Sequence, residues 1–484
     1  MASIEEIREA RLKKRDILRK KGMHPYPASS KRDTSLEDLS RDFDKLQKKE
    51  FKPTVAGRLL SFRAQGKIMF ATLHDGTAGF QVVIESNILG GDRFRLFQDT
   101  VDVGDILEFK GELFKTKRGT PSVKAHEWLM LSKSLRPLPE KWHGLQDVEE
   151  RYRRRYLDII MNPELKDLFE KKALFWETAR RFLEKRGFVG VQTPSLEVTT
   201  GGAEARPFKT HHHDSGMDLY LRISVGELWQ KRLMAAGFNR TYEIGRVYRN
   251  EGSSSEHLQE FTNIEFYASY LDFEDGKKLV KELYCEVADK VFGKTVFKTR
   301  GHDFDLAGEW EELDYVDTVE KMTGINVLEA TEDELRKKLK ELKVSFDGKT
   351  RERLTDSLWK FCRKKIAGPA FLINHPCIVA PLSRLDDKDN RLTNTFQIII
   401  AGSEIGRAHS ELNDPIDQAE RFREQKKLIE AGDQEAMMPD WEYVEMLEHG
   451  MPPTFGFGFP ERLFAFMTDK SLREVTLFPL MKNK

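Results

Sequence analysis

The sequence predicts an α+β protein in which a small five-stranded β-barrel precedes a larger domain of strands and helices. Two patterns carry that expectation. Residues 54–131 alternate apolar and polar positions in five short runs separated by turn dipeptides, whereas the chain beyond residue 160 mixes strands with amphipathic helices. At 484 residues the chain is also too long for one ordinary domain.

The elements follow in order. Ser3 and Glu6 form a capping box that opens a helix, and Gly22 and Pro25 end it. Its eight basic and four acidic residues give a local charge of +4, which suits either a solvated surface or contact with a phosphate backbone. Residues 1–48 are therefore read as a basic helical extension. Within 49–140 the strands fall at 54–60, 68–74, 80–85, 106–114 and 122–131, with Asp75-Gly76 and Arg118-Gly119 as turns. Five such strands suit a barrel of the oligonucleotide-binding kind. Residues 141–160, preceded by Pro137 and Pro139 and carrying Tyr152-Arg153-Arg154-Arg155-Tyr156, read as a linker or interface. Asn162 and Pro163 then cap a helix that Gly187 closes, with Leu165, Leu168, Phe169, Trp176, Ala179, Phe182 and Leu183 as its buried stripe. The main domain spans 161–484, and a charged helical segment at 331–342 marks a peripheral insertion at about 300–370.

Composition excludes several functions. The chain is 39% hydrophobic and 33% charged, with no apolar run near the ~18 residues a membrane span needs. Eighty basic residues balance eighty acidic ones, so any nucleic-acid footprint must be local. Cys285, Cys362 and Cys377 lie far apart without metal-ligand spacing, which points to a reducing, cytoplasmic setting. Glu5, Glu6 and Glu9 without an apolar segment fit neither a secretory signal nor a transit peptide, so a mature start is expected. His211-His212-His213 has no companion cysteine or carboxylate at ligand spacing and is not read as a zinc tract.

The chemistry concentrates in residues 246–267. Read as a strand, 262–270 turns Thr262, Ile264, Phe266 and Ala268 to an apolar face, and Phe261, Glu265 and Tyr267 to the other. A buried row of ring, carboxylate and phenol calls for something polar to bind. A second strand at 242–249 precedes it, joined by a loop with Gly252 and three serines, and Arg249, Glu251 and His257 sit at or in that loop.

Arg249-Asn250-Glu251-Gly252, His257 and Glu260-Phe261-Thr262 resemble motif 2 of the class II aminoacyl-tRNA synthetases, in the bacterial-type lysyl-tRNA synthetase form. The helix ending at Gly187-Phe188, with Thr193-Pro194, is similar to motif 1. Gly456-Phe457-Gly458 with Glu461-Arg462 is similar to a divergent motif 3. Gly201-Gly202-Ala203, Arg206-Pro207-Phe208, Glu411-Leu412-Asn413-Asp414-Pro415 and Leu477-Phe478-Pro479 extend the likeness, in family order, over residues 55–479.

The resemblance implies an OB-fold anticodon-binding barrel and a catalytic domain built on an antiparallel sheet flanked by helices. It implies activation of L-lysine with ATP and Mg2+, transfer to tRNA(Lys), and a homodimer formed through motif 1. By the same likeness Arg249 holds the α-phosphate and substrate carboxylate, and Arg462 the γ-phosphate. Phe261 stacks on adenine, Glu251 reads its amine, and His257 contacts the phosphates. Glu265, Tyr267 and Glu411 take the side-chain ammonium; Glu227 and Gly202 take the α-amino group. Glu404 belongs to the metal and ATP site. A planar guanidinium suits two converging anions better than an ammonium does. On the barrel, Arg63, Phe70 and Gln81 fall on anticodon-reading positions, and an aromatic platform with a guanidinium and an amide is what unstacked bases require. Lys115, Lys117 and Arg118 would add phosphate contacts.

Several residues depart from the family pattern. Gln397 stands where the family has a metal-binding glutamate, Arg407 replaces an asparagine, and His409 replaces an aromatic beside the lysine stem. Gly226 is an extra residue before Glu227, and Pro460 is inserted before Glu461-Arg462. Two readings stand: Arg407 partly offsets a weakened magnesium site, since both place positive charge near the reacting anions, or the changes are lineage drift with repacking of the pocket. The alternatives weighed are a lysine-type ligase that modifies a protein, a non-catalytic tRNA-binding paralogue, and an aspartyl or asparaginyl enzyme. The barrel, the pair Arg249 and Arg462, and the acids Glu265 and Glu411 oppose them respectively.

Overall fold

The computed structural model describes residues 3–139, 145–252, 254–346, 350–433 and 435–482. Residues 141–144 of the expected linker, Ser253 of the hairpin loop and 347–349 of the expected insertion lie outside these. The chain divides into two compact units, Met1–Pro163 and Glu164–Lys484.

In the first unit, strands β1 (Thr54–Gln65), β2 (Ile68–His74), β3 (Gly79–Glu85), β4 (Ile106–Lys115) and β5 (Pro121–Ser132) close into a barrel in the order β1-β2-β3-β5-β4. Alternation decides which side chains enter it: Met69, Ala71 and Leu73 are buried from β2, and Val82 and Ile84 from β3. A helix that the sequence reading did not separate, Gly91–Thr100, adds Phe94, Leu96 and Phe97 to this core, and Phe97 meets Trp128 edge-on at 5.1 Å.

The first helix, Ile4–Lys20, forms with the expected Ser3 and Glu6 capping box. It is neither simply solvated nor fully available to phosphates. Leu18 is buried in the barrel core, Arg11 donates to the carbonyls of Val103, Ser134 and Arg136, and Lys14 pairs with Asp102 at 2.6 Å. Part of its positive charge is thus consumed in docking.

In the second unit, helix Glu164–Glu184 buries Leu168, Ala179, Phe182 and Leu183 as expected, but the stripe also includes the fully buried Phe175. With helix Phe273–Phe292 it supplies the core of an eight-stranded sheet. Its strands are β6 (Val189–Gly190), β7 (Arg240–Tyr248), β8 (Glu260–Ser269), β9 (Glu311–Asp314), β10 (Ala370–Pro376), β11 (Leu392–Ile400), β12 (Ser403–Ser410) and β13 (Thr454–Pro460), in the order β9-β10-β11-β12-β13-β8-β7-β6. The six central strands run antiparallel, and each edge strand is parallel to its neighbour.

One sheet face is core. Ile264, Phe266 and Ala268 of β8 join Phe455, Phe457 and Phe459 of β13, Phe396 and Ile398 of β11, and Ala408 of β12 there. By strand alternation the intervening residues line the opposite face.

Candidate active site

The opposite face floors a cleft of about 430 Å3. Cross-strand register arranges the floor in rows. In one, Glu265 of β8 faces Gly458 of β13, which faces Arg407 of β12, which faces Gln397 of β11. In the next, Tyr267 faces Gly456, His409 and Thr395 in turn. The glycines of β13 leave the centre of each row without a side chain, which gives the cleft its depth. A Cβ at Gly456 would overlap the Glu411 carboxylate and the Tyr267 ring.

The catalytic-domain residues given a place in the substrate, nucleotide or metal site line this one cleft: Gly202, Glu227, Arg249, Glu251, His257, Phe261, Glu265, Tyr267, Gln397, Glu404, Arg407, His409, Glu411 and Arg462. The motif 2 hairpin is paired continuously from Arg240↔Ala268 to Tyr248↔Glu260. Its loop is held by the Arg249 amide donating to the Gln259 carbonyl, and by the Asn250 amide donating to that of Arg206. The Arg249 guanidinium lies 5.3 Å from the Phe261 ring centroid and donates to the Ile223 carbonyl. His257 accepts or donates at Ser254 Oγ, 2.8 Å away, and burial followed by the nearby Arg462 lowers its pKa to about 4, so it is neutral. Burial likewise lowers the Arg462 guanidinium to about 10; this side chain donates to the Glu404 carbonyl.

At the other end carboxylates converge. Glu265 accepts from the Val225 amide at 2.8 Å, Asn263 Nδ2 at 3.0 Å and the Tyr267 hydroxyl at 3.1 Å. Burial, then Glu227, push its pKa up to about 7. Burial raises Glu411 to about 8 against the pull of Lys231. Gly226, in the left-handed region at φ 69°, starts helix Glu227–Ala235 and sets Glu227 at its first position; a Cβ there would overlap Thr193. Gly202 packs against Ser224 and the Glu227 side chain. His409 pairs with Thr395 Oγ1 at 3.0 Å, and burial followed by Arg407 holds it well below the usual imidazole range.

Three of the residues read as departures from the family pattern, Gln397, Arg407 and His409, lie on β11 and β12. Glu404 is ion-paired with Arg363 and accepts from Trp359 Nε1 at 3.3 Å. Gln397 Oε1 is buried without a hydrogen bond of good geometry, and Arg407 donates to the Val379 carbonyl at 2.8 Å. Among the described residues no three His, Cys, Asp or Glu side chains converge as a metal cage. A carboxylate and an amide oxygen still fit a hard cation that draws its remaining ligands from ATP phosphates and water.

Some cleft residues were not anticipated. Helix Arg351–Arg363, inside the segment read as peripheral, brings Glu352, Arg353, Trp359, Lys360 and Arg363 to the wall. Lys231, one turn after Glu227, pairs with both Glu227 and Glu411. The i,i+4 spacing was readable as a shared helix face.

In the barrel, Arg63 and Phe70 are cross-strand partners, with the guanidinium 5.3 Å from the ring centroid. Phe70 is half-buried and lies outside the barrel core. Gln81 emerges on the same outer face, accepting from Ser122 Oγ at 2.9 Å. Lys115, exposed on its hairpin, pairs with the exposed Asp44 at 2.8 Å. His211 and His212 are exposed and bond Asp218 and Ser215.

Comparison with known proteins agrees with this architecture. Residues 147–482 match the family described as tRNA synthetases class II (D, K and N), and residues 54–131 match OB-fold nucleic acid binding domains. The chain belongs to the class II tRNA synthetases. Within that class it is 41% identical to a lysine--tRNA ligase of Thermotoga maritima, over 99% of this chain and 97% of the relative. It is similarly 41% identical to that of a Roseiflexus species over 99% of both, and 40% identical to that of Pelotomaculum thermopropionicum over 99% and 96%.

Proposed function

We propose that the protein activates L-lysine with ATP to lysyl-adenylate and transfers the lysyl group to tRNA(Lys). The observation that carries this is one cleft lined by Phe261 at the start of β8 with Arg249 beside it, and by Glu265 and Tyr267 further along β8 together with Glu411. The lysine carboxylate attacks the α-phosphorus and pyrophosphate departs, so neutralising and aligning anions is the catalytic task. Arg249 spans the carboxylate and α-phosphate, Arg462 takes the γ-phosphate, Phe261 stacks on adenine, Glu251 reads its amine, and neutral His257 donates to phosphate oxygens. Glu265, Tyr267 and Glu411 hold the side-chain ammonium, Glu227 and Gly202 the α-amino group, and His409 lines the stem. Mg2+ arriving with ATP would be held from the protein by Glu404 and the Gln397 amide oxygen, and supplies further positive charge at the phosphates.

Arg63, Phe70 and Gln81 read anticodon bases from the outer face of the barrel. Half-exposed Val189, Leu196 and Val198, next to motif 1, support a homodimer. No helix among the described residues is long and apolar enough to cross a membrane, and three unpaired cysteines suit a cytoplasmic enzyme. The test is ATP–pyrophosphate exchange with each amino acid, followed by tRNA charging. Lysine as the sole strong substrate in both is expected; exchange without charging would favour a ligase that modifies protein, and no exchange a non-catalytic paralogue.

A further inference from the structure

Lys231 lies on helix Glu227–Ala235, and its side chain is wholly excluded from solvent. Its Nζ is 2.7 Å from Glu227 Oε1, is ion-paired with Glu411, and lies 5.9 Å from the Tyr267 ring centroid. A lysine is seldom fully buried, and here it touches the two acids assigned to opposite ends of the substrate.

Charge explains the arrangement. Glu227, Glu265 and Glu411 make three carboxylates at the end of the cleft, and Lys231 is ion-paired with two of them, Glu227 and Glu411. With all three ionised, as bound ammonium groups favour, two negative charges remain once Lys231 is counted. Lysine brings two ammonium groups, and its carboxylate is directed to Arg249. A neutral side chain would leave one buried carboxylate without a counter-charge; a third cation would leave an excess.

We propose that Lys231 is a positioning and specificity-determining residue: its ammonium fixes Glu227 and Glu411 and cancels one of three carboxylate charges, so that the pocket is balanced by a diamino acid. This rests on the lysine-pocket reading above. The groups facing Lys231 are the carboxylates of Glu227 and Glu411, the phenols of Tyr267 and Tyr443, and His409. With Lys231 neutralised, the acids take up an additional proton near neutrality, and lysine must displace it.

The experiment is ATP–pyrophosphate exchange by the full chain carrying Lys231→Met or Lys231→Arg, with lysine, ATP and pH varied in turn. Lys231→Met is expected to raise KM for lysine more than about tenfold near neutral pH while KM for ATP stays within about twofold. The defect should shrink as pH rises, discrimination against norleucine should fall by about tenfold or more, and Lys231→Arg should keep the wild-type pH profile. An unchanged lysine KM and pH profile in Lys231→Met would overturn the proposal. So would equal damage by Met and Arg to the KM of both substrates, which marks a packing role. If Lys231→Met does not fold, Lys231→Gln carries the same readouts. Glu411→Gln separates the two readings: unchanged lysine binding there would remove the lysine pocket itself, whereas weakened binding there beside an indifferent Lys231→Met removes only the role of Lys231.

Discussion

Arg249 differs from an ordinary surface cation because it is half-buried, beside the Phe261 ring and bonded to the Ile223 carbonyl. Replacing it with lysine keeps the charge and loses the fork that spans two anions, so exchange should slow by about 100-fold with little change in melting temperature. The acids predict a pH dependence. Glu265 and Glu411 have folded pKa values of about 7 and about 8 against an ordinary 4.5. Their protonated forms therefore stabilise the unliganded protein below the unfolded value, and that contribution is lost as pH rises through 7 and 8. Bound ammonium groups favour the ionised forms and release those protons. The rise in melting temperature caused by lysine should accordingly grow from about pH 6 to about pH 8.5, and calorimetry in buffers of different ionisation enthalpy should detect proton release. A constant shift across that range would contradict it. Arg407 faces Gln397 across the strands, so Arg407→Asn should raise the magnesium concentration needed for half-maximal exchange; an unchanged requirement would show that this cation does not offset the missing carboxylate.

Helix and strand ends set these residues in place. Glu461, at the junction of β13 and the helix that starts at Arg462, is buried and paired with Lys172 of helix Glu164–Glu184 at 2.7 Å. Lys172→Met strands that carboxylate, so denaturant unfolding should show a loss of about 3 kcal/mol, accompanied by slower exchange through a displaced Arg462. Legibility was uneven at this scale. The two faces of β8 could be separated from residues 261–268 alone, because period-2 alternation of Phe, Glu and Tyr against Ile, Phe and Ala leaves one assignment. Helix Arg351–Arg363 gave no comparable signal. Its Trp359 and Arg363 look like one apolar and one solvated position of a charged helix, and only tertiary packing brings them to Glu404. The docking of Arg11 was hidden for a related reason: its partners are backbone carbonyls distant in sequence, which no pattern of side chains announces.

For the molecule as a whole, the two compact units predict separable defects. Phe70→Ala on the barrel should leave lysine-dependent exchange unchanged and raise the KM for tRNA by about 5- to 150-fold, the worth of one base stacked on an aromatic ring. Steady-state charging measured beside exchange checks this, and an equal loss in both assays would refute it. Five barrel strands and the motif hairpin could be read in outline, whereas helix Gly91–Thr100 and the pairing of Lys231 with the distant Glu411 could not; each depends on tertiary contact. The row on β8 also has a consequence for how this chain can vary. Phe261 and Glu265 are four residues apart on a continuously paired strand, roughly 13 Å at about 3.3 Å per residue, so under the proposed assignment the strand acts as a ruler between nucleotide and amino-acid ends. Deleting or inserting one residue would change the measured length and turn every later side chain to the wrong face. Gly226, read from the sequence as an extra residue, and Pro460, read as an insertion, both lie off β8, one at the start of a helix and one at the end of β13, where a change in chain length leaves the measure along β8 intact.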